Sequence, residues 1–182
     1  MHTNFKNKTN MKKIILTVAA VFALTFANAQ AKKESKGGDS EGGFKMGINV
    51  GLPLGNIKDA YSLTYGLDVA YLWPVADGFK AGVTSGFINY AAKSEFKDIG
   101  GKDTSFVPVA ATGQYSFSEN IFGGLDLGYA VAVAPSGAVG GFLYQPKVGY
   151  QTEKIEVYLG YKGISANGGT ASSLNLGFAY KF

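Results

Sequence analysis

From Phe44 to Phe182, apolar residues alternate with small or polar residues, and this period of two is the feature that most restricts the fold. A β-strand points successive side chains to opposite faces, whereas the apolar face of a helix needs spacings of three and four. The final segment shows the pattern most clearly, with Leu174, Leu176, Phe178, Tyr180 and Phe182 alternating with Asn175, Gly177, Ala179 and Lys181. The sequence therefore predicts strands with one apolar face and one small or polar face.

Eight such segments lie between residues 44 and 182. Long connections are predicted at 53–60, 91–104, 134–140 and 166–172, and short turns are predicted at 74–78, 118–120 and 153–154. Long and short alternate, as the extracellular loops and periplasmic turns of outer-membrane barrels do, with both termini on the periplasmic side. Pro108 interrupts the fourth segment, and because proline cannot donate to a ladder we expect it near the strand's outer end or at a bulge.

The sizes of the two faces indicate which one lies inside a barrel. The apolar face carries about five large residues per strand, and the bore of an eight-stranded barrel holds only a layer of side chains or one small ligand. The face rich in Gly, Ala, Ser and Thr can converge on the axis, so the apolar face must meet lipid. We predict an all-β fold, an eight-stranded antiparallel up-and-down transmembrane β-barrel. A soluble periplasmic lipid carrier, with the apolar face inside, is the alternative.

Aromatic residues near the segment ends are expected to form girdles at the two membrane interfaces. On the turn side they are Phe44, Trp73, Phe79, Phe117, Tyr150, Tyr180 and Phe182. On the loop side they are Tyr61, Tyr90, Tyr129, Tyr144 and Tyr161. Strand propensity explains the number of aromatic residues but not their position.

Eight charged residues fall on the small-residue face and would point into the lumen. They are Lys45, Asp68, Lys80, Asp126, Lys147, Glu156, Lys162 and Lys181. Charges in so narrow a space need partners, so we expect a network of ion pairs and water that plugs the bore. A gated pore for small solutes is the alternative interpretation.

The first 29 residues have the features of a secretory signal peptide. A basic start at Met11 to Lys13 precedes an apolar stretch at 14–26, and small residues follow at 27–29, which predicts cleavage near Ala29. Met11 is the expected start of translation. The apolar stretch would reach about 20 Å as a helix, short of the roughly 30 Å hydrocarbon core. Residues 30–43 then form a flexible leader, with a periplasmic handle as the alternative, and the barrel domain spans 44–182.

Charge and residue usage exclude several functions. Four of the 17 basic residues precede residue 30, which leaves 13 lysines to balance 13 acidic residues, and there is no arginine, so nucleic-acid binding is not expected. Cysteine is absent, and the single histidine, His2, belongs to the predicted signal peptide. We therefore predict no enzyme activity, no catalytic residues and no cofactor. Asp98 and Asp103 are weak calcium candidates better interpreted as solvated loop charges, so no metal site is predicted.

The alternating segments resemble the outer-membrane protein β-barrel domain family, the small eight-stranded class that includes proteins similar to OmpX and the membrane domain of OmpA. The resemblance covers about residues 44–182, and its most specific part is the last strand with its terminal phenylalanine. It implies the outer membrane of a Gram-negative bacterium, a lipid environment, and insertion by the barrel-assembly machinery, which would read Leu174, Leu176, Phe178, Tyr180 and Phe182. It implies no shared activity.

Two functions are consistent with these features. The first is a structural or surface-interaction barrel that displays its loops outward, chiefly residues 91–104 toward an unidentified extracellular partner. The second is a narrow porin-like channel for small solutes or ions.

Overall fold

The computed structural model describes residues 42–166 and 168–182. Its strands are β1 (Gly43–Leu54), β2 (Tyr61–Ala76), β3 (Phe79–Ala92), β4 (Thr104–Ser116), β5 (Ile121–Ala134), β6 (Gly141–Gln151), β7 (Ile155–Ala166) and β8 (Gly169–Lys181). A 3-10 helix (Gly55–Asp59) and the short helix α1 (Ser94–Asp98) lie in connections. Each strand pairs antiparallel with the next, and β1 pairs with β8, so the predicted eight-stranded up-and-down barrel is confirmed.

The predicted signal peptide at 1–29 and most of the predicted leader at 30–43 lie outside the described residues. Within the part of the chain that is described, no helix is long and apolar enough to cross a membrane.

Strands β1 and β8 close the barrel. Apolar residues face each other across this junction, with Ile48 opposite Phe178 and Val50 opposite Leu176. The backbone N–H of Phe182 donates to the carbonyl of Phe44 at 2.9 Å, one residue beyond the end of β8. Because β8 also pairs with β7 along its other edge, neither edge of the last strand is left free.

The connections define a loop end and a turn end of the barrel. Residues 55–60, 93–103 and 135–140 form the longer connections at the loop end, and residues 77–78, 117–120 and 152–154 form the turn end. Strands β2 and β3 pair up to Ala76 opposite Phe79, so residues 77–78 make a two-residue hairpin. Its sequence is Asp-Gly, and Gly78 adopts φ +70°, as tight hairpin turns require.

The predicted loop at residues 166–172 is wrong. Strands β7 and β8 pair as far as Ala166 opposite Gly169, so their connection at the loop end is at most two residues long. Gly168 has φ +101°, and the sequence there reads Asn-Gly, the dipeptide favoured in two-residue hairpin turns. The long and short connections therefore alternate up to β7 but not beyond it.

Pro108 also lies in a place that differs from the expectation. It is inside β4, opposite Ala130 of β5, while the nearest register shift falls between Ser105 and Phe106. No pair joins β3 to β4 between Val109 and Phe106, where Pro108 has no N–H to donate. The hydroxyl of Ser85 donates to the Pro108 carbonyl at 2.7 Å, which supplies part of the missing bonding.

Candidate functional site: the barrel lumen and its loop-end mouth

The apolar side chains point away from the barrel axis, as predicted. Ile48, Leu67 and Leu159 keep 59%, 54% and 53% of their surface exposed, although each lies in mid-strand. Side chains on the opposite face of the same strands are buried, among them Lys45, Asn49 and Tyr158. This arrangement is the opposite of what the soluble carrier would need, because that alternative requires the apolar face inside.

At the turn end of the lumen, Lys45 and Glu156 form a buried ion pair. Their Nζ and Oε2 atoms are 2.7 Å apart. Gln114 contacts both side chains, since its Oε1 accepts from Lys45 at 2.8 Å and its Nε2 donates to Glu156 at 3.0 Å. Gln151 extends the cluster, accepting from Gln114 at 3.1 Å and donating to Ser116 at 3.0 Å. Every charge in this cluster therefore has a partner, as a low-dielectric interior requires.

A second ion pair lies nearer the middle of the barrel. The ammonium of Lys147 contacts both carboxylate oxygens of Asp126, at 2.9 and 2.8 Å, and lies 5.5 Å from the centre of the Tyr158 ring. The Tyr158 hydroxyl donates to Asp68 at 3.0 Å, and the amide of Asn49 donates to the same oxygen at 2.6 Å. Tyr158 therefore links the second pair to the third lumen carboxylate.

Lys162 is the most deeply buried of the lumen lysines, with 1% of its surface exposed. Its ammonium donates to Oδ1 of Asn49 at 3.5 Å, a long bond. Asn49 thus lies between Lys162 and Asp68, and couples a cation and an anion that do not touch. Above this level Thr64 donates to Asn175 at 3.0 Å, and the Asn175 amide donates to the Ser173 hydroxyl at 2.9 Å.

The structure brings six of the eight predicted lumen charges into these contacts. The remaining two, Lys80 and Lys181, lie toward the turn end with partly exposed side chains. The sequence analysis did not predict that Gln114, Asn49 and Tyr158 connect the charges. Their position on the small-residue face could have indicated this role, because each is a polar side chain that would point into the lumen.

A small cavity lies between the two ion pairs. It measures about 20 Å³ and is bordered by Lys45, Lys147, Asp126, Glu156 and Tyr158, among others. That volume holds about one water molecule. Among the described residues no three His, Asp or Glu side chains are grouped so as to hold a metal ion.

The loop half of the lumen contains an apolar layer, which the alternation did not predict. Its buried side chains are Ile88, Tyr90, Phe106, Ala110, Ala130, Leu143 and Ile164, and they lie beside buried polar residues such as Thr64, Ser173 and Asn175. Tyr61 packs edge-on against Tyr90, and Tyr90 packs edge-on against Phe106, with ring centres 5.8 and 6.0 Å apart. The lumen is therefore polar toward the turn end, and toward the loop end it combines the apolar layer with buried polar side chains of β2, β7 and β8.

The predicted loop-side girdle needs correction at two positions. Tyr90 keeps only 1% of its surface exposed and belongs to the apolar layer, and Tyr61 packs against it. The alternation was ambiguous here, because both faces of β3 carry large residues near its loop end. Tyr129 and Tyr161 do point outward.

The turn-side aromatic residues lie on the outside near the barrel rim. Tyr71 and Trp73 are in edge contact, as are Tyr115 and Phe117. Phe182 is 5.0 Å from Tyr180 and 5.6 Å from Phe44 between ring centres. The five predicted insertion-signal residues all face outward from β8 and the residue after it: Leu174, Leu176, Phe178, Tyr180 and Phe182.

The longest connection, residues 93–103, is folded against the loop end. Phe96 of α1 packs on Tyr61 with ring centres 5.7 Å apart. Asp103 accepts the backbone N–H of Ala92 at 2.9 Å and forms an ion pair with Lys97 at 3.0 Å. The Ala92 hydrogen bond, followed by Lys97, holds the pKa of Asp103 below its usual range. Asp103, one of the two weak calcium candidates, therefore has the Lys97 ammonium and the Ala92 amide as partners.

Comparison with solved structures shows the same fold in membrane proteins of low sequence identity. The outer membrane protein Ail of Yersinia pestis in a phospholipid bilayer nanodisc superposes with a TM-score of 0.53 at 13% identity, over 78% of this chain and 100% of that chain. The crystal structure of Ail, the attachment invasion locus protein, gives 0.50 at 14% identity over 78% and 97%. The de novo designed protein TMB2.3 gives 0.51 at 11% identity over 78% and 94%. The chain matches no protein-family model and no curated protein sequence. It therefore has the fold of the small eight-stranded transmembrane barrels.

Proposed function

We propose that this chain is an integral outer-membrane protein of a Gram-negative bacterium, in which a rigid, filled barrel displays its loops at the cell surface. The observation that carries the proposal is a closed barrel with an apolar exterior and a lumen filled by side chains. A contiguous apolar exterior of this size is stable in lipid and not in water. Closure leaves no unpaired strand edge to expose backbone groups to hydrocarbon.

The orientation follows from the connections. Outer-membrane barrels place short turns in the periplasm and longer loops outside, so residues 55–60, 93–103 and 135–140 would lie at the cell surface. Phe182 would then lie at the periplasmic interface, where the barrel-assembly machinery would read the outward row of β8. A signal peptide at 1–29 and a leader at 30–43 fit delivery from that side, ahead of the barrel at 44–182.

A structural or surface-interaction role is favoured over a channel. The ion pairs Lys45–Glu156 and Lys147–Asp126 occupy the lumen, and a packed apolar layer lies between them and the loop end. The cavity between the two ion pairs has room for about one water molecule, which is too small for a solute. The surface most suited to an extracellular partner is the loop predicted at 91–104, whose Ile99 is 81% exposed. We propose neither an enzymatic activity nor a cofactor.

Location and orientation can be tested with single cysteines, because the natural chain has none. Ile99→Cys lies in the longest loop, and Glu119→Cys lies in a turn at the opposite end. We expect a membrane-impermeant maleimide to label Ile99→Cys on intact cells and Glu119→Cys only after the outer membrane is permeabilised. If intact cells were labelled at Glu119→Cys but not at Ile99→Cys, the barrel would have the opposite orientation, with its turns at the cell surface. Fractionation with the periplasm, with no heat-dependent gel shift, would refute the membrane barrel.

The channel alternative is tested separately in planar bilayers. We expect the purified protein to show no well-defined channel events, since its lumen is filled. Steady channel events that change with Lys147→Glu would favour transport. The matched control is Lys58→Glu, which alters an exposed charge in the connection between β1 and β2 and leaves the lumen unchanged.

A further inference from the structure

Four aromatic rings form a continuous row from the longest loop into the lumen. Phe96 packs on Tyr61, Tyr61 on Tyr90, and Tyr90 on Phe106, with ring centres 5.7, 5.8 and 6.0 Å apart. All three contacts are edge-to-face, with interplanar angles of 62°, 73° and 83°. Three of the rings belong to strands, and only Phe96 belongs to a loop. Phe96 is the outermost ring of the row, and it can be displaced without unfolding the barrel because it lies in a loop.

The loop is shaped around the Phe96 ring. A Cβ atom added to Gly101 would overlap that ring, so glycine is needed for the chain to pass so close. The N–H of Gly101 donates to the Phe96 carbonyl at 2.8 Å, and Gly100 adopts φ +91°, which folds the loop back over α1. The ring is thus held between Gly101 on one side and Tyr61 on another.

The loop itself is weakly anchored. Helix α1 has five residues, no side-chain cap at its start and no buried residue, and a helix this short is not stable by itself. Besides the packing of Phe96, three polar contacts anchor the loop. They are Asp103 with the Ala92 amide, Asp103 with Lys97, and the Lys93 N–H with the carbonyl of Ala60 at 2.9 Å.

We propose that residues 93–103 form a lid over the loop-end mouth, and that Phe96 occupies an aromatic site there which a small planar aromatic molecule binds when the lid opens. The row of edge-to-face rings selects a flat ring, because such contacts depend on the edge of one ring meeting the face of the next. The apolar layer of Ile88 and Phe106 below the site would penalise a charged ligand. The Tyr61 hydroxyl, 2.7 Å from the Thr104 hydroxyl, adds one polar group at the rim. The site does not depend on which side of the membrane the loops face.

The proposal is tested by competition between the protein's own ring and an added one. Indole is titrated into the full chain folded in detergent micelles, and binding is followed by the NMR resonances of the Tyr61, Tyr90 and Phe106 rings. Phe96→Ala removes the competing ring, so we expect it to bind indole at least tenfold more tightly than the natural protein. Asp103→Asn keeps the ring and weakens the lid, so its affinity should lie between the two, because the apparent affinity rises with the open fraction.

Two further variants make the result decisive. Gly101→Ala should expel the Phe96 ring without deleting it, and should also bind indole more tightly. Ile99→Ala changes an exposed apolar residue of the same loop and should behave like the natural protein. A heat-dependent gel shift confirms that each variant is folded. Equal indole affinity in the natural protein, Phe96→Ala and Gly101→Ala, or ring shifts in none of them, would overturn the proposal.

Discussion

The ammonium of Lys45 on β1 lies 2.7 Å from the carboxylate of Glu156 on β7, although these two strands are not neighbours in the barrel. The ion pair crosses the lumen past β8, and 11% and 3% of the two side chains are exposed. Gln114 of β4 contacts both partners. One buried cluster therefore ties three separate parts of the barrel wall together at its turn end.

Breaking this pair from one side should be strongly destabilising. Lys45→Met leaves the Glu156 carboxylate buried without its cation, and Glu156→Gln leaves the ammonium without its anion. We expect either change to cost about 3–5 kcal/mol, because the remaining charge is uncompensated. The double variant should recover most of that loss. Urea unfolding in lipid vesicles, combined as a double-mutant cycle, measures the coupling.

The exposed pair Lys97–Asp103 provides the matched control. Its side chains are 51% and 43% exposed, so solvent screens the charges and we expect a coupling of about 0–1 kcal/mol. A lumen coupling no larger than this loop coupling would show that water reaches the turn end of the barrel freely.

Lys147 and Lys162 should respond differently to the same substitution. Lys147→Met strips the buried Asp126 of the ammonium that contacts both its oxygens, and we expect a loss of about 3–5 kcal/mol. Lys162→Met removes a charge whose hydrogen bond to Asn49 is 3.5 Å long, and it leaves Asp68 with its bonds from Asn49 and Tyr158. We therefore expect a clearly smaller loss, since the cost of burying the Lys162 charge is removed with it. The free energies of unfolding of the two variants in vesicles test this contrast. Equal losses would mean that Lys162 has a stronger partner than Asn49.

Much of the barrel could be predicted because the period of two is a local property. The alternation within each strand determines which of its side chains share a face. The outward-facing apolar side chains and the charged side chains in the lumen could therefore be predicted from the sequence. The pairing of Lys45 with Glu156 could not be predicted. It depends on the register between β1 and β8 and on the register between β8 and β7. The sequence of a single strand does not determine its register with the next strand.

The apolar layer shows where alternation fails. Ile88, Asn89 and Tyr90 follow Phe87 in β3, so large side chains stand on both faces and the pattern does not indicate which lie inside. The lumen of a barrel this narrow can be filled by apolar side chains or by paired polar ones. The hydropathy of a residue therefore does not show whether its side chain faces the lumen or the lipid. The short connection between β7 and β8, by contrast, could have been predicted, because Asn-Gly stands at 167–168 in the sequence.

Gly177 should be hard to replace. A Cβ atom at this position would overlap the ring of Tyr158, whose hydroxyl bonds to Asp68 and whose ring lies beside Lys147. We expect Gly177→Ala to cost about 1–3 kcal/mol through overpacking. Gly169→Ala in the same strand is the control, because no atom lies within 4 Å of its added Cβ. A similar stability for both variants, from urea unfolding, would mean that Tyr158 moves aside without loss.

The contact between Asp103 and Ala92 should fail in acid. The pKa of Asp103 is lowered in the folded protein, first by the Ala92 hydrogen bond and then by Lys97. The stabilisation is therefore present above the ordinary aspartate pKa of about 3.9 and is lost as the pH falls through the lower folded value. The Lys97 ammonium faces Asp103 from α1, and β3 presents the Ala92 amide.

We expect the Ala92 amide to exchange slowly at neutral pH and faster, relative to its intrinsic rate, below about pH 4. The measurement is NMR-detected hydrogen exchange of the folded protein in micelles, corrected for the pH dependence of intrinsic exchange. Asp103→Asn should abolish the transition, because its side chain does not titrate, whereas Asp98→Asn on α1 should keep it. If the transition persisted in Asp103→Asn, a titratable group other than Asp103 would control the exchange of the Ala92 amide. The contact between Asp103 and Ala92 would then not be what holds the lid closed.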